Sequence, residues 1–315
     1  MPAQTLLESR LARRIAQKKT RLNAQRPIPR DAVARLREQL TVEWIYNSNA
    51  IEGSTLTLRE TELILHQGLT IGGKSLREHF EVINHREAIT LVESLVRKKR
   101  PVTAFQVRQL HQLVLMQIDN ENAGQYRRTN VRIAGSAYTP PEAWLVPQQM
   151  DQWARWLQTE ATALHPIDRA ALAHHRLAAI HPFVDGNGRT ARLVMNLILL
   201  RAGYPPTVIL RANRQQYYRV LANADRGNDK PLINFVGRAV ERSLNLYLEA
   251  LTPSTRKPAR MNEWIPLREA AQGTPYSQEY LSLLARLGRL EAIKIGRVWH
   301  TTRQAVAEYR KTVDI

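Results

Sequence analysis

The chain has 315 residues, 43% of them hydrophobic, no cysteine and a formal net charge of +18. The length and apolar share support one large domain or two unequal ones. The missing cysteine excludes disulfides and thiolate metal sites, and no apolar run approaches the ~18 residues that cross a bilayer. The charge favours acidic partners: nucleic acid, nucleotide or an anionic surface. With no export-like opening and no cysteine, the chain reads as cytoplasmic, without a membrane partner.

Residues 1–40 read as a basic helical extension, with ten Lys/Arg against three acids. Their helical apolar spacing breaks at RPIPR, 26–30. A helical pattern then runs from Asp31 to Tyr46 and leads into SNAIEGS at 48–54. Thr57 with Glu60 three positions on has the spacing of a capping box, so a helix begins there. Helical periodicity returns at 76–98, 103–117, 143–161, 166–180, 189–202, 213–225 and 231–251. Between 130 and 147, NVRIAGSAYTPPEAWLVP alternates around Val131 and Ile133, with a turn at Gly135-Ser136. This predicts a β-hairpin. The expected fold class is all-α with one β-hairpin flap over residues 41–250. LTPSTRKPAR, 251–260, reads as a linker. Beyond it, 264–287 give two short helices, 290–302 a strand–turn–strand around Gly296-Arg297, and Arg303 opens a last helix.

HPFVDGNGRTAR, 181–192, concentrates the chemistry. Gly186 and Gly188 flank Asn187 just before a helix, so backbone N–H groups gather at the positive end of a helix dipole, which suits phosphate. Arg189 and Arg192 are three apart and project from one side of the first turn, as fixed donors for phosphate oxygens. Asp185 is placed to hold Mg²⁺, which takes one or two carboxylates and completes its shell with phosphate and water. His181 is the titratable base of the motif. Phe183 is the apolar anchor of the loop.

Residues 181–192 resemble the signature of the Fic family at every fixed position. GQYRRTNVRIAGSAYTPP, 124–141, looks like that family's target-docking flap, and the resemblance spans about 40–250. It implies AMP transfer from ATP to a Tyr, Ser or Thr hydroxyl of a protein target. By position, His181 would deprotonate the hydroxyl, and Asp185 would hold Mg²⁺ against the α- and β-phosphates. The amides around Gly186, Asn187 and Gly188, with the Asn187 side chain, would cradle phosphate. Arg189 would stabilise departing pyrophosphate and Arg192 would orient the γ-phosphate. The phosphate-transferring branch carries a lysine where Gly188 stands. An exposed edge at Val131, Arg132 and Ile133 could pair with an extended target segment.

SNAIEG, 48–53, resembles the family's inhibitory pattern and sits in an expected helix at about 44–53. The resemblance implies that Glu52 pairs with Arg192, with Ser48 one turn earlier and Gly53 ending the helix. Tyr217 or Tyr218, in RQQYYRVL, lies where relatives contact adenine; core packing is the other reading. His174 and His175 do not have zinc-protease spacing and read as structural. Residues 261–315 resemble an excisionase-type winged helix-turn-helix. Ser277, Gln278 and Tyr280 would face a major groove and Arg297 a phosphate, or the module contacts protein instead. Three functions stay open at this point: self-inhibited AMP transfer, nucleotide sensing by a DNA-binding regulator, and AMP removal by the same site. Oligomeric state is open too, a homo-oligomer included.

Overall fold

Local signals place most helices of the first of two units, Met1–Thr252 and Pro253–Ile315. The computed structural model describes residues 5–28, 30–98, 101–251, 264–286, 290–296 and 298–313. In the first unit, α1 is Ser9–Ala24, α2 Arg30–Ile51, α3 Leu58–Gln67, α4 Leu76–Lys98 and α5 Ala104–Leu115. They are followed by α6 Val146–Gln158, α7 Pro166–Ile180, α8 Asn187–Arg201, α9 Arg214–Ala224 and α10 Lys230–Leu251. The capping box at the start of α3 forms as expected: Glu60 N–H donates to Thr57 Oγ1 at 3.2 Å, and Thr57 N–H to the Glu60 carboxylate at 2.7 Å. Pro166 opens α7, where its missing N–H costs nothing.

Helix α8 lies in the middle, buried on every face from Arg189 to Leu199. It packs on α7, α4 and α5. A helix enclosed all round is normally apolar. This one carries Arg189, Thr190, Arg192 and Asn196 among its buried residues, so its polar groups must find partners inside the protein.

Two expectations change here. Residues 9–24 are not a free-standing extension. Leu11, Ile15 and Leu22 of α1 are buried, and α1 packs along α10. Arg14 and Lys18 hold Glu241 of α10 at 2.7 and 2.6 Å. The flap at 130–147 also differs from the expected β-hairpin. The turn forms: Gly135 has φ 75° and Ser136 N–H donates to Ile133 O at 3.1 Å. No strand is assigned there. A lone two-stranded ribbon is marginal in water, and Pro140 and Pro141 have no N–H to offer a ladder. Arg132 is exposed, and Val131 and Ile133 are half-buried.

The second unit has its own core of Leu267, Ala270, Leu281, Leu284, Ala285, Leu290, Ala305 and Val306. Its strands are β1 Ile265–Pro266, β2 Ala292–Ile295 and β3 Val298–Thr301, in the antiparallel order β1-β3-β2. Its helices are α11 Leu267–Ala270, α12 Gln278–Arg286 and α13 Arg303–Val313. Ser277 is engaged locally: its Oγ accepts from Tyr280 N–H at 3.2 Å. Gln278 is exposed, and the Tyr280 hydroxyl meets that of Tyr309 at 3.0 Å. Arg297 and most of the 251–260 linker lie outside the described residues. Among the described residues no helix is long and apolar enough to cross a membrane.

Candidate active site

The loop between α7 and α8 is held by its own sequence. His181 caps α7 in the left-handed region, φ 49° and ψ 58°, and Pro182 prevents the helix from continuing. Phe183 is fully buried and stacks on the His111 ring, centroids 3.6 Å apart and planes 2° apart. Asn187 closes the loop from inside. Its Oδ1 accepts from Phe183 N–H at 2.9 Å and its Nδ2 donates to Phe183 O at 2.8 Å. The Asn187 side chain is therefore committed to the Phe183 backbone and is not free to cradle phosphate. His111 completes the frame. Gly124 N–H donates to its Nδ1 at 3.0 Å, so its Nε2 carries the proton and donates to Asp185 O at 2.8 Å.

His181 presents a neutral base. Its Nδ1 donates to Ala178 O at 3.2 Å, which leaves Nε2 to accept a proton. Burial, with Arg127 nearby, holds its pKa below the usual imidazole value. Arg127 is a site residue that motif reading misses. Its Nε donates to His181 O at 2.8 Å, its Nη1 to Thr129 O at 3.0 Å and its Nη2 to Pro141 O. One buried guanidinium thus ties the His181 backbone to both ends of the flap.

Arg192 meets the expected partner. Its Nη2 lies 2.7 Å from Glu52 Oε1 and donates to Ser48 O at 2.8 Å, and its Nε donates to Ser48 Oγ at 3.1 Å. The Glu52 carboxylate lies against the Gly188 Cα: a Cβ at 188 would collide with it and would sit 3.1 Å from Arg192 Nη1. Gly53, at φ 114°, ends the turn that delivers Glu52. Glu52 is thus itself an anion at the N-terminus of α8, where the dipole favours one.

Asp185 and Arg189 belong to a second charged group. Asp185 Oδ1 accepts from Gly186 N–H at 2.6 Å, and Oδ2 faces Arg189 at 3.4 Å and Arg77 at 2.5 Å. Burial alone would raise the Asp185 pKa; Arg189, the Gly186 N–H and Arg77 outweigh it and hold the carboxyl below its usual value. Arg77 and Glu81, both on α4, are also invisible to motif reading, because only the fold brings α4 to the loop.

Tyr217 is placed by the structure in the core. It is 2% exposed, its hydroxyl bonds His174 Nε2 at 2.8 Å and lies 3.5 Å from Arg192 Nη1. It braces Arg192 from below and cannot stack on adenine. Tyr218 is 42% exposed, with its hydroxyl 3.3 Å from Ile51 O. His175 pairs with Asp225 at 2.8 Å. Among the described residues no group of three or more His, Asp or Glu could hold a metal on its own.

The buried histidines make acid costly. Burial pulls His85 and His174 down to about 3 and His111 to about 4. In the unfolded chain each titrates near ~6.5. Below that pH the unfolded state binds more protons, so stability falls as pH falls, until the folded values are reached. Each histidine should cost about 2 kcal/mol at pH 5. Denaturant melts at pH 7 and pH 5 measure this; equal stability at both would contradict it.

A family model described as Fic/DOC family matches residues 101–199. Among solved structures, Fic-1 (residues 134–508) from C. elegans is 34% identical, covers 78% of this chain and 73% of its own, and superposes with a TM-score of 0.71. The chain belongs to the Fic family. A Fic domain containing signaling protein from Bacteroides thetaiotaomicron is 32% identical, with 75% of this chain and 96% of that one covered and a TM-score of 0.70. The protein adenylyltransferase Fic of Drosophila grimshawi is 39% identical over 220 residues, 70% of this chain and 45% of that protein. This Fic chain thus spans less than half the length of that curated relative. The segment matched by the Fic model carries α5, Arg127, the flap and the 181–192 loop. Ser48, Glu52, Arg77 and Glu81 lie upstream of it.

Proposed function

We propose that this Fic protein transfers AMP from ATP to a hydroxyl of a protein side chain. The observation that carries the reading is a neutral His181, with Nε2 free, beside an anion site made by the N-terminus of α8 and two buried arginines. The curated relatives named protein adenylyltransferase support the same chemistry. In this reading the target hydroxyl oxygen attacks the α-phosphorus, the bond to pyrophosphate breaks, and His181 Nε2 takes the hydroxyl proton. The Asn187 and Gly188 amides and Arg189 hold phosphate oxygens as charge shifts to the leaving group. Arg192 holds the γ-phosphate. With Glu52 displaced, Gly188 would leave the space beside the loop open for the β- and γ-phosphates.

Asp185 fits a magnesium ion as its one carboxylate. It is half-exposed, and among the described residues no group of three or more acids or histidines makes an all-protein cage, so phosphate oxygens and water would complete the shell. Asp185 would hold the ion, which would supply positive charge to the polyphosphate. Asp185 and the Gly186 N–H that fixes its Oδ1 set where that charge sits.

Glu52 makes the site self-inhibited. It occupies the α8 N-terminus and engages Arg192, so the γ-phosphate meets a carboxylate where it needs a guanidinium. The flap gives an extended target segment a partner at Val131 and Ile133, and pairing would supply the third strand that the ribbon lacks.

The position of the label decides the reaction class. Protein incubated with Mg²⁺ and ATP labelled at the α-phosphate should acquire label, and ATP labelled at the γ-phosphate should leave none. Label from the γ-position would replace AMP transfer by phosphoryl transfer.

A further inference from the structure

Arg77 covers the outer face of Asp185. Its Nη2 is 2.5 Å from Oδ2, and Arg189 reaches the same oxygen at 3.4 Å. Both guanidiniums also meet Glu81 Oε1, at 3.4 Å from Arg77 and 3.2 Å from Arg189. The four groups close a ring of alternating charge, two carboxylates against two guanidiniums. Its corners differ in freedom. The Arg189 side chain is 2% exposed and that of Glu81 12%, whereas those of Arg77 and Asp185 are 55% and 45% exposed. Arg77 is the corner that can leave by side-chain rotation alone.

We infer that Arg77 is a built-in counter-cation at Asp185, standing where a divalent ion must bind and yielding to it when the metal-nucleotide arrives. The inference rests on the reading of Asp185 as the metal-bearing carboxylate. Oδ1 is taken by the Gly186 N–H, so Oδ2 is the oxygen left for a metal, and Arg77 sits on it. A guanidinium and a divalent ion cannot share that face, because like charges a few ångströms apart repel and each needs the same lone pairs. With Arg77 in place the ring is neutral and the carboxylate ordered. With a divalent ion in its stead, the ring carries net positive charge towards the polyphosphate. Metal loading is therefore a competition, and a monovalent ion, with no charge advantage over Arg77, loses it.

The test uses the full chain without nucleotide and Mn²⁺ as the probe, with free Mn²⁺ read by electron paramagnetic resonance. Wild type should bind weakly, and Asp185→Asn should lose that binding. Arg77→Gln should bind roughly three- to tenfold tighter, the size of a partly exposed charge-assisted pair removed from the competition. Arg77→Lys, which keeps the charge, should stay near wild type. Arg77 is exposed, so its variants should fold, and thermal melts check this. Equal or weaker binding by Arg77→Gln overturns the inference, as does an Arg77→Lys protein that binds like Arg77→Gln. Mn²⁺ binding that is the same in Asp185→Asn as in wild type overturns the inference together with the metal role of Asp185.

Discussion

Replacing Glu52 with glycine is expected to raise AMP transfer on the order of 100-fold, the effect of one well-placed donor to developing phosphate charge. The carboxylate now lies against Gly188 and 2.7 Å from Arg192. Its removal opens the α8 N-terminus to phosphate and releases Arg192 to the γ-phosphate. Arg192 does not collapse when freed, because Ser48 Oγ and Ser48 O still accept from it at 3.1 and 2.8 Å. The backbone tolerates the change: α2 ends at Ile51, so a glycine at 52 interrupts no helical turn. A stability cost is expected as well, since Arg192 is buried and loses its counter-charge. Bound Mg²⁺-ATP should recover part of it. Rates of AMP incorporation at equal protein and saturating Mg²⁺-ATP measure the gain; equal rates for wild type and Glu52→Gly would reduce SNAIEG to an ordinary helix end.

Loss of the base is expected to be the largest effect in the opposite direction. In the Glu52→Gly background, His181→Ala should lower transfer by about 10²- to 10⁴-fold, the usual contribution of a positioned general base. Nucleotide affinity should hold, because in the proposed mechanism the imidazole serves the incoming hydroxyl and the loop amides, Arg189 and Arg192 hold the phosphates. Backbone strain is a separate issue, since His181 sits at φ 49°. His181→Asn is the matched control, as asparagine tolerates the left-handed region. Both variants should bind ATP like their parent in calorimetry and fail in transfer. Transfer at the parent rate by either one removes His181 from the mechanism. The depressed pKa adds a pH signature: as pH falls, activity should be lost later than an ordinary imidazole base would lose it, because burial lowers the His181 pKa.

What could be read in advance was local. The capping box at Thr57 and Glu60, the Pro166–Ile180 helix and the 181–192 loop are specified by residues within a few positions of one another. The Glu52–Arg192 pair was legible through family resemblance, although 140 positions separate its members. The remainder depends on what the fold brings together. Arg127 reads as one more basic residue until its three carbonyl acceptors are seen. Arg77 and Glu81 carry no motif on α4, and only the fold brings them to Asp185 and Arg189. Tyr217 and Tyr218 look equivalent in sequence, yet the rotation of about 100° between neighbours on α9 sends the first into the core and leaves the second at the surface. The flap alternates as a hairpin should, but alternation cannot supply the third strand.

The account stands on Glu52 acting through Arg192, and AMP incorporation by four proteins tests this most directly: wild type, Glu52→Gly, Arg192→Ala and the double variant. Assayed together at saturating Mg²⁺-ATP, Glu52→Gly alone should be fast. Arg192→Ala removes the lock and the locked group together, so it and the double variant should remain slow. An Arg192→Ala or double-variant protein as fast as Glu52→Gly would contradict the account.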